Sequence, residues 1–315
     1  MKAVLGIDTS CYTTSAAIVS LEKEILVSAR RLLTVQMGGR GLQQSAGLFQ
    51  HIQNLPQMID QAVHQAGDIQ IEAVSASTKP RPAEESYMPV FRAGESQARA
   101  AASLLNVPFY AFSHQEGHVR AALVGTEIDE KQQYIVFHLS GGTTEMLACN
   151  PQLQLIGKSL DLHAGQFIDR IGVKMGLPFP AGPYLEKLAE QAKPSGVLGV
   201  SIRDCDCSIS GAESKASRLI DSRAYPNEQI AAECFDFIAR TVFRMMENGL
   251  KATGAKQALL AGGVASSDLF RKMLYARARK AGLQCRICFA RPELSGDNAV
   301  GIALLGADHY SKLNH

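Results

Sequence analysis

The chain has almost no net charge, no long apolar run and no even set of cysteines, and each gap removes a class of function. Its 32 lysines and arginines stand against 30 aspartates and glutamates. At +2, no overall electrostatic footprint advertises a nucleic acid, and only a local basic groove is compatible with one. No stretch of 18 apolar residues occurs, and the opening MKAVLGIDTS lacks the apolar core of a signal peptide. Neither membrane spanning nor export is expected, so a cytoplasmic location is. The seven cysteines (Cys11, Cys149, Cys205, Cys207, Cys234, Cys285, Cys288) are odd in number and scattered, which argues for reduced thiols. Cys285 and Cys288 have zinc-knuckle or redox spacing but no second pair, and alternation around Ile287 and Phe289 makes them part of a strand. Cys205 and Cys207 are assigned no role. Also missing are a phosphate-binding GxxxxGK[ST] loop and a dinucleotide GxGxxG. What is present, 46% hydrophobic and 20% charged residues over 315 positions, suits a globular chain of two halves, each with its own core.

The chain is organised around Tyr134 to Cys149. An apolar run, Tyr134 to Leu139, breaks at Ser140-Gly141-Gly142-Thr143-Thr144, and an apolar segment resumes at Met146. Gly-Gly flanked by hydroxyls lets a strand turn tightly and aims backbone N–H groups outward, which suits a phosphate as well as a plain hairpin. A second copy lies at Ala3 to Val19, where an apolar run meets Asp8-Thr9-Ser10, a Thr/Ser-rich turn and a second apolar run. Two such units, each opening one half, indicate an internal duplication with a ligand between the halves. Residues 1–131 form the first expected half and 132–315 the second, with the last helix returning to the first.

Each half then reads as a third strand followed by alternating helices and strands, an α/β pattern with parallel pairing. In the first half come a strand from Glu24 to Leu33, a Gly38–Gly41 loop and a helix from Leu42. Phe49, Ile52, Leu55, Met58, Ile59 and Val63 line one face of that helix and Gly67 stops it. A strand spans Ile71 to Ala76, a loop Thr78 to Pro82, a helix Gly94 to Leu105 and a buried strand Pro108 to Phe112. In the second half come a strand Leu153 to Ile156, helices at Gln166–Met175 and Tyr184–Gln191, and an irregular stretch from Lys193 to Ser208. A long helix over Glu228–Leu250, a strand at Ala258–Leu260, a helix over Asp268–Lys280 and a strand at Cys285–Ala290 follow. The final helix starts near Asp297.

Two further constellations carry chemistry. Gly262-Gly263 joins a parallel strand to a helix N-terminus, where glycine allows close backbone approach to a nucleotide. Ser113 and Glu116 form a capping box, so a helix starts at His114 and puts His114 and His118 on one face, a spacing at which two imidazoles grip one metal. The best candidate for a third ligand is Asp297 in Ser295-Gly296-Asp297-Asn298. Two histidines and one carboxylate leave positions open for a substrate oxygen and suit iron or zinc better than magnesium. The twin hairpins and the Gly-Gly loop fit the duplicated actin/Hsp70/sugar-kinase architecture, in which hairpins hold phosphates and the loop holds adenosine.

These motifs together resemble the tRNA threonylcarbamoyladenosine transferase family of the actin-like superfamily, formerly labelled glycoprotease or O-sialoglycoprotein endopeptidase. The resemblance runs through Gly6–Cys11, Ser113–His118, Leu139–Gly142, the Asp161…Gly165…Asp169 pattern, Gly182-Pro183, Ser208–Gly211, Gly262–Ala265 and Gly296–Asn298. It implies an actin-like (ribonuclease H-like) fold and a metal, divalent or trivalent, on His114, His118 and Asp297. It implies a phosphate loop at Ser140, Gly141 and Gly142, and nucleotide contacts at Asp169, Gly182 and Gly263, with Ser267, Thr9 and Ser10 counted among the nucleotide- and substrate-binding positions. The chain departs from the pattern where the family has acidic residues at Tyr12 and Thr13, histidine at Thr143, aspartate at Leu162, glutamate at Gln166, lysine at Glu213 and asparagine at Ser267. Its Lys79-Pro80-Arg81 also replaces a G-P-G loop. These departures mark a divergent paralogue. By resemblance the expected activity is metal-dependent transfer of a threonylcarbamoyl group from threonylcarbamoyl-adenylate to an adenine amine of tRNA, with an adenine nucleotide or adenylate bound and partner subunits alongside. The alternatives are a carbamoyl- or acyl-transferase acting on another acceptor, and a nucleotide-binding regulatory module without catalysis. A protease is disfavoured, because HxxxH here lacks the glutamate of HExxH.

Overall fold

A computed structural model describes residues 1–10, 12–34, 43–150 and 152–314. Cys11, the Gly38–Gly41 loop and Leu42, all read from sequence above, lie outside the described residues. The chain divides into two units, Met1–Val124 with Gly296–His315, and Gly125–Ser295. The sequence reading placed the division after residue 131; here residues 125–131 group with the second unit.

The first unit begins with strands β1 (Lys2–Thr9), β2 (Thr13–Ser20) and β3 (Ile25–Leu32), an antiparallel meander. Helix α1 (Gln44–Ala66) leads to β4 (Gln70–Lys79), α2 (Phe91–Leu105), β5 (Phe109–Ser113) and α3 (His114–Leu123). The sheet order is β3-β2-β1-β4-β5, with β4 parallel to β1 and β5 parallel to β4. Its core gathers Leu5, Ile7, Ile18, Leu55, Met58 and Val74.

Three sequence expectations fail in this unit. The α1 face fails only in part: Leu55 and Met58 are buried and Ile59 packs on the core as expected, but Gly47, His51 and Ala62 join them while Phe49, Ile52 and Val63 are exposed. Close packing on the sheet selects small residues and one hydrogen-bonded histidine, which a count of apolar side chains overlooks. The strand expected over Pro108–Phe112 is the sheet's edge and only half-buried. The expected Thr78–Pro82 loop begins two residues later, because β4 pairs through Lys79 before Pro80 ends it.

The second unit repeats the topology. It runs through β6 (Tyr134–Leu139), β7 (Thr144–Asn150), β8 (Gln152–Lys158), α4 (Ala164–Lys174), α5 (Gly182–Ala189), β9 (Ser201–Arg203), β10 (Asp206–Ser208) and α6 (Ser210–Ser222). It continues with α7 (Asn227–Thr253), β11 (Gln257–Ala261), α8 (Asp268–Lys280) and β12 (Arg286–Phe289). The sheet order β12-β11-β6-β7-β8 has the same connectivity as the first sheet, with an antiparallel meander β6-β7-β8 and parallel β6, β11 and β12. Helix α7 carries Ile230, Cys234, Phe237, Ile238, Val242, Met245 and Met246 into the core and ends at Gly254 in the left-handed region, as its periodicity predicts. The stretch from Lys193 to Ser208 is not wholly irregular. It contains the β9–β10 hairpin, and the buried Glu233 carboxylate accepts from the backbone N–H groups of Ser195, Gly196 and Val197.

The last helix, α9 (Val300–Asn314), belongs to the first unit and packs on β1 and α3. Between β12 and α9 lie a single 3-10 turn, Pro292–Leu294, and the segment bearing Asp297. Asp297 therefore precedes the helix by three residues and does not open it, and Asn298 Oδ1 accepts from Val300 N at 3.0 Å. Among the described residues no helix is long and apolar enough to cross a membrane.

Candidate metal centre and nucleotide loops

In the first unit, β5 delivers Ser113 with extended φ/ψ, and its Oγ accepts from Glu116 N while Glu116 Oε2 accepts from Ser113 N at 2.7 Å. This reciprocal cap starts α3 at His114, so His114 and His118 fall one turn apart on the same face. Their rings pack edge to face, with centroids 4.3 Å apart. Asp297 reaches them because α9 lies against α3: a Cβ on Gly301 would collide with the backbone carbonyl of Gly117. Glycine at that crossing permits backbone contact, and the contact sets how near the segment before α9 comes to the histidine face.

The three side chains converge. His118 Nε2 lies 2.9 Å from His114 Nε2 and 3.1 Å from Asp297 Oδ1, and His114 Nε2 lies 3.5 Å from that same oxygen. At metal–ligand distances of about 2.1 Å, ligands at right angles stand about 3.0 Å apart and tetrahedral ones about 3.4 Å. The observed separations fit three donors around one ion. Without an ion, burial alone would depress the His114 imidazole, but the Asp8 and Asp297 carboxylates outweigh it and hold its pKa well above the ordinary value. Burial likewise pushes Asp297 upward, and hydrogen bonds and charge from His114 and His118 override it, holding the carboxyl well below the usual range. Among the described residues this is the group of histidine, cysteine and carboxylate side chains close enough together to hold a metal.

Two residues of the first hairpin have other partners than the turn suggests. Thr9 is buried, and its hydroxyl donates to Val90 O at 3.0 Å and accepts from Gly94 N, tying β1 to α2. Ser10 Oγ donates to Asp297 Oδ2 at 2.8 Å. Sequence reasoning missed Asp8, whose Oδ1 lies 2.8 Å from His114 Nδ1. The signal was present: a lone aspartate inside the otherwise apolar and small-residue run of β1.

In the second unit, Ser140–Gly142 forms the β6–β7 turn. Ser140 N donates to Thr143 O, Ser140 Oγ accepts from Gly142 N, and Ser140 O accepts from Gly165 N in the first turn of α4. Thr144 Oγ1 accepts from Ala164 N at 2.8 Å. Gly141 and Gly142 are exposed, and a Cβ on either would meet nothing within 4 Å. Asp169, on α4, accepts from Ala181 N at 2.8 Å, which places it beside Gly182 at the start of α5. From α5, Glu186 Oε1 accepts from Ser267 Oγ and from Leu269 N, both at 2.8 Å. Ser267 also caps α8 by accepting from Phe270 N, so its hydroxyl both donates and accepts within the protein. Gly262-Gly263 leads into a 3-10 turn, Val264–Ser266, before α8 begins at Asp268. Gly262, not Gly263, is the constrained glycine: its φ is +99° and a Cβ would strike the Leu139 carbonyl, whereas Gly263 faces open space.

The chain matches, over residues 48–304, the model of the family described as tRNA N6-adenosine threonylcarbamoyltransferase. It is similar to the protein of that name from Corynebacterium aurimucosum, 29% identical over 326 residues that span 96% of this chain and 91% of that one. It is also similar to its namesake from Methanopyrus kandleri, 29% identical over 311 residues spanning 96% and 86%. Among solved structures, the activator of 2-hydroxyisocaproyl-CoA dehydratase from Clostridium difficile superposes with a TM-score of 0.56 at 16% identity, over 99% of this chain and 97% of that one. That likeness shows the fold, the duplicated actin-like α/β arrangement.

Proposed function

The chain belongs to the tRNA N6-adenosine threonylcarbamoyltransferase family, and from that premise we propose that it transfers a threonylcarbamoyl group from threonylcarbamoyl-adenylate to an adenine amine of tRNA. The observation that carries the reading is the convergence of His114 Nε2, His118 Nε2 and Asp297 Oδ1 within 3.5 Å of one another. In the reaction the amine nitrogen bonds to the carbamoyl carbon, the carbon–oxygen bond to the adenylate phosphate breaks, AMP departs and the amine gives up a proton. A metal ion bound by His114, His118 and Asp297 would act as a Lewis acid toward a substrate oxygen. Two imidazole donors favour iron or zinc over magnesium. His114 and His118 supply neutral nitrogen donors, and Asp297 supplies one anionic oxygen that offsets the cation's charge.

For the nucleotide, Gly141 and Gly142 leave the exposed tip of the turn open, so a phosphate can approach its backbone without meeting a side chain. Asp169 and Gly182, joined through Ala181, and Gly263 complete the positions assigned to the adenylate. Ser267 contributes through the α8 cap and its bond to Glu186. Thr9 and Ser10 are engaged within the first unit, Thr9 with Val90 and Gly94 and Ser10 with Asp297. A cytoplasmic location and partner subunits belong to the same reading, because the acceptor is tRNA.

The test supplies threonylcarbamoyl-adenylate, made in situ by its synthase, with unmodified tRNA and the partner subunits of the same cell. Mass spectrometry then looks for the modified nucleoside. Product with the wild type and none with His114→Ala supports the transferase. Consumption of the adenylate that requires metal but leaves tRNA unmodified would redirect the reading to another acceptor. Nucleotide binding with neither outcome would leave a non-catalytic module.

A further inference from the structure

We propose that Asp8 and Ser10, at the end of β1, are positioning residues that preset the metal ligands, Asp8 acting on His114 and Ser10 on Asp297. The inference rests on the metal reading of the triad and extends it to residues outside the ligand set.

Asp8 is fully buried, and its Oδ1 lies 2.8 Å from His114 Nδ1. Its second oxygen, Oδ2, is buried with no hydrogen-bond partner among the described residues. A buried carboxylate with an unsatisfied oxygen is costly, and a carboxylate kept only to hold the fold together would have both oxygens satisfied. Among the described residues, the side chain it engages is a histidine of the triad. That bond has a definite chemical consequence. With Nδ1–H donated to Asp8, the lone pair of His114 sits on Nε2, the nitrogen 2.9 Å from His118 Nε2. The carboxylate also makes the imidazole a more basic donor and stops the ring from turning.

Ser10 does the same for the third ligand. Its hydroxyl donates to Asp297 Oδ2 at 2.8 Å and leaves Oδ1, the oxygen that faces both histidines, free to coordinate. The Ser10 backbone is itself anchored, because His51, fully buried on α1, places Nε2 2.8 Å from the Ser10 carbonyl. Two ligands from segments far apart in sequence are thus each held at the atom that does not converge, from one strand end. This assigns Ser10 to the metal centre and away from a phosphate hairpin.

Chelator-stripped protein titrated with Co(II) against a competing chelator tests the assignment, using wild type, Asp8→Asn, Ser10→Ala and His114→Ala. Asp8→Asn keeps the shape and removes the charge, and Ser10→Ala removes only a hydroxyl. Both should lower Co(II) affinity by about 10- to 100-fold and change the visible absorption of the bound ion, the size expected when an outer partner of a ligand is lost. Far-UV circular dichroism reports whether each variant is folded. If Asp8→Asn fails to fold, Ser10→Ala decides. Folded variants with affinity within about twofold of wild type and an unchanged spectrum overturn the inference while the metal reading stands. A wild type that binds no Co(II), or binds it as well as His114→Ala does, overturns the metal reading and this inference with it.

Discussion

At the scale of single residues, His51 shows how one buried side chain makes stability depend on pH. Burial lowers its pKa, against the opposing pull of the Ser10 carbonyl and the Asp8 charge. It is neutral in the fold, with Nε2–H donated to Ser10 and Nδ1 accepting from the Thr14 hydroxyl at 2.8 Å. As pH falls below about 6.5 the unfolded chain takes up a proton that the folded chain refuses. Stability from His51 is therefore full above that pH and drains away on acidification until the lowered folded value is passed. His114, with its raised pKa, works the other way: its contribution is full below about 6.5 and is lost as pH rises through the folded value. Denaturant unfolding between pH 8 and pH 5 should show His51→Gln less stable than wild type but with a smaller loss on acidification. Parallel curves for the two proteins would assign the acid sensitivity to other groups.

At the scale of elements, α3 depends on its first residue pair. Ser113→Ala removes the acceptor for Glu116 N and should cost about 1 kcal/mol in denaturant unfolding. The same change should raise hydrogen exchange in the first turn of α3, where His114 sits. An unchanged exchange pattern would mean that packing alone holds that turn. This element was legible in the sequence because cap and spacing are local: Ser113, Glu116, His114 and His118 lie within six positions. The two meanders, α7 and α8 were legible for the same reason, through apolar periodicity and glycine stops. What escaped was decided by distant partners. The inward face of α1 keeps Leu55 and Met58, but Thr14 and Ser10 fix His51 beside them while Phe49 and Ile52 stay outside. The half-burial of β5 follows from its place at the sheet edge, which no local pattern records. Asp8 and Glu186 act through partners 106 and 81 residues away, so the partner of neither could be read from its neighbours in sequence.

At the scale of the molecule, the first unit is completed by a helix from the far end of the sequence given. Gly301 is the point where that helix touches α3, facing the Gly117 carbonyl. Gly301→Val places a side chain where only backbone fits, and neither helix can yield without moving. The variant should lose about 3 kcal/mol of stability and bind Co(II) less tightly than wild type, since Asp297 retreats from the histidines. Measured affinity and melting point both equal to wild type would show that the crossing does not govern the ligand spacing.

The interrupted first unit also imposes an order of events on synthesis. Residues 125–295 form a unit contiguous in sequence, inserted between the two pieces of the other. A ribosome working at about 5–20 residues per second needs roughly 9–34 s for those 171 positions. Through that interval a nascent chain carries the histidine pair without its carboxylate, its Ser10 hydroxyl still lacking Asp297. If the three side chains hold an ion as proposed, its tight capture is a late step, timed by the arrival of one segment and not by the folding of the helix that bears the histidines.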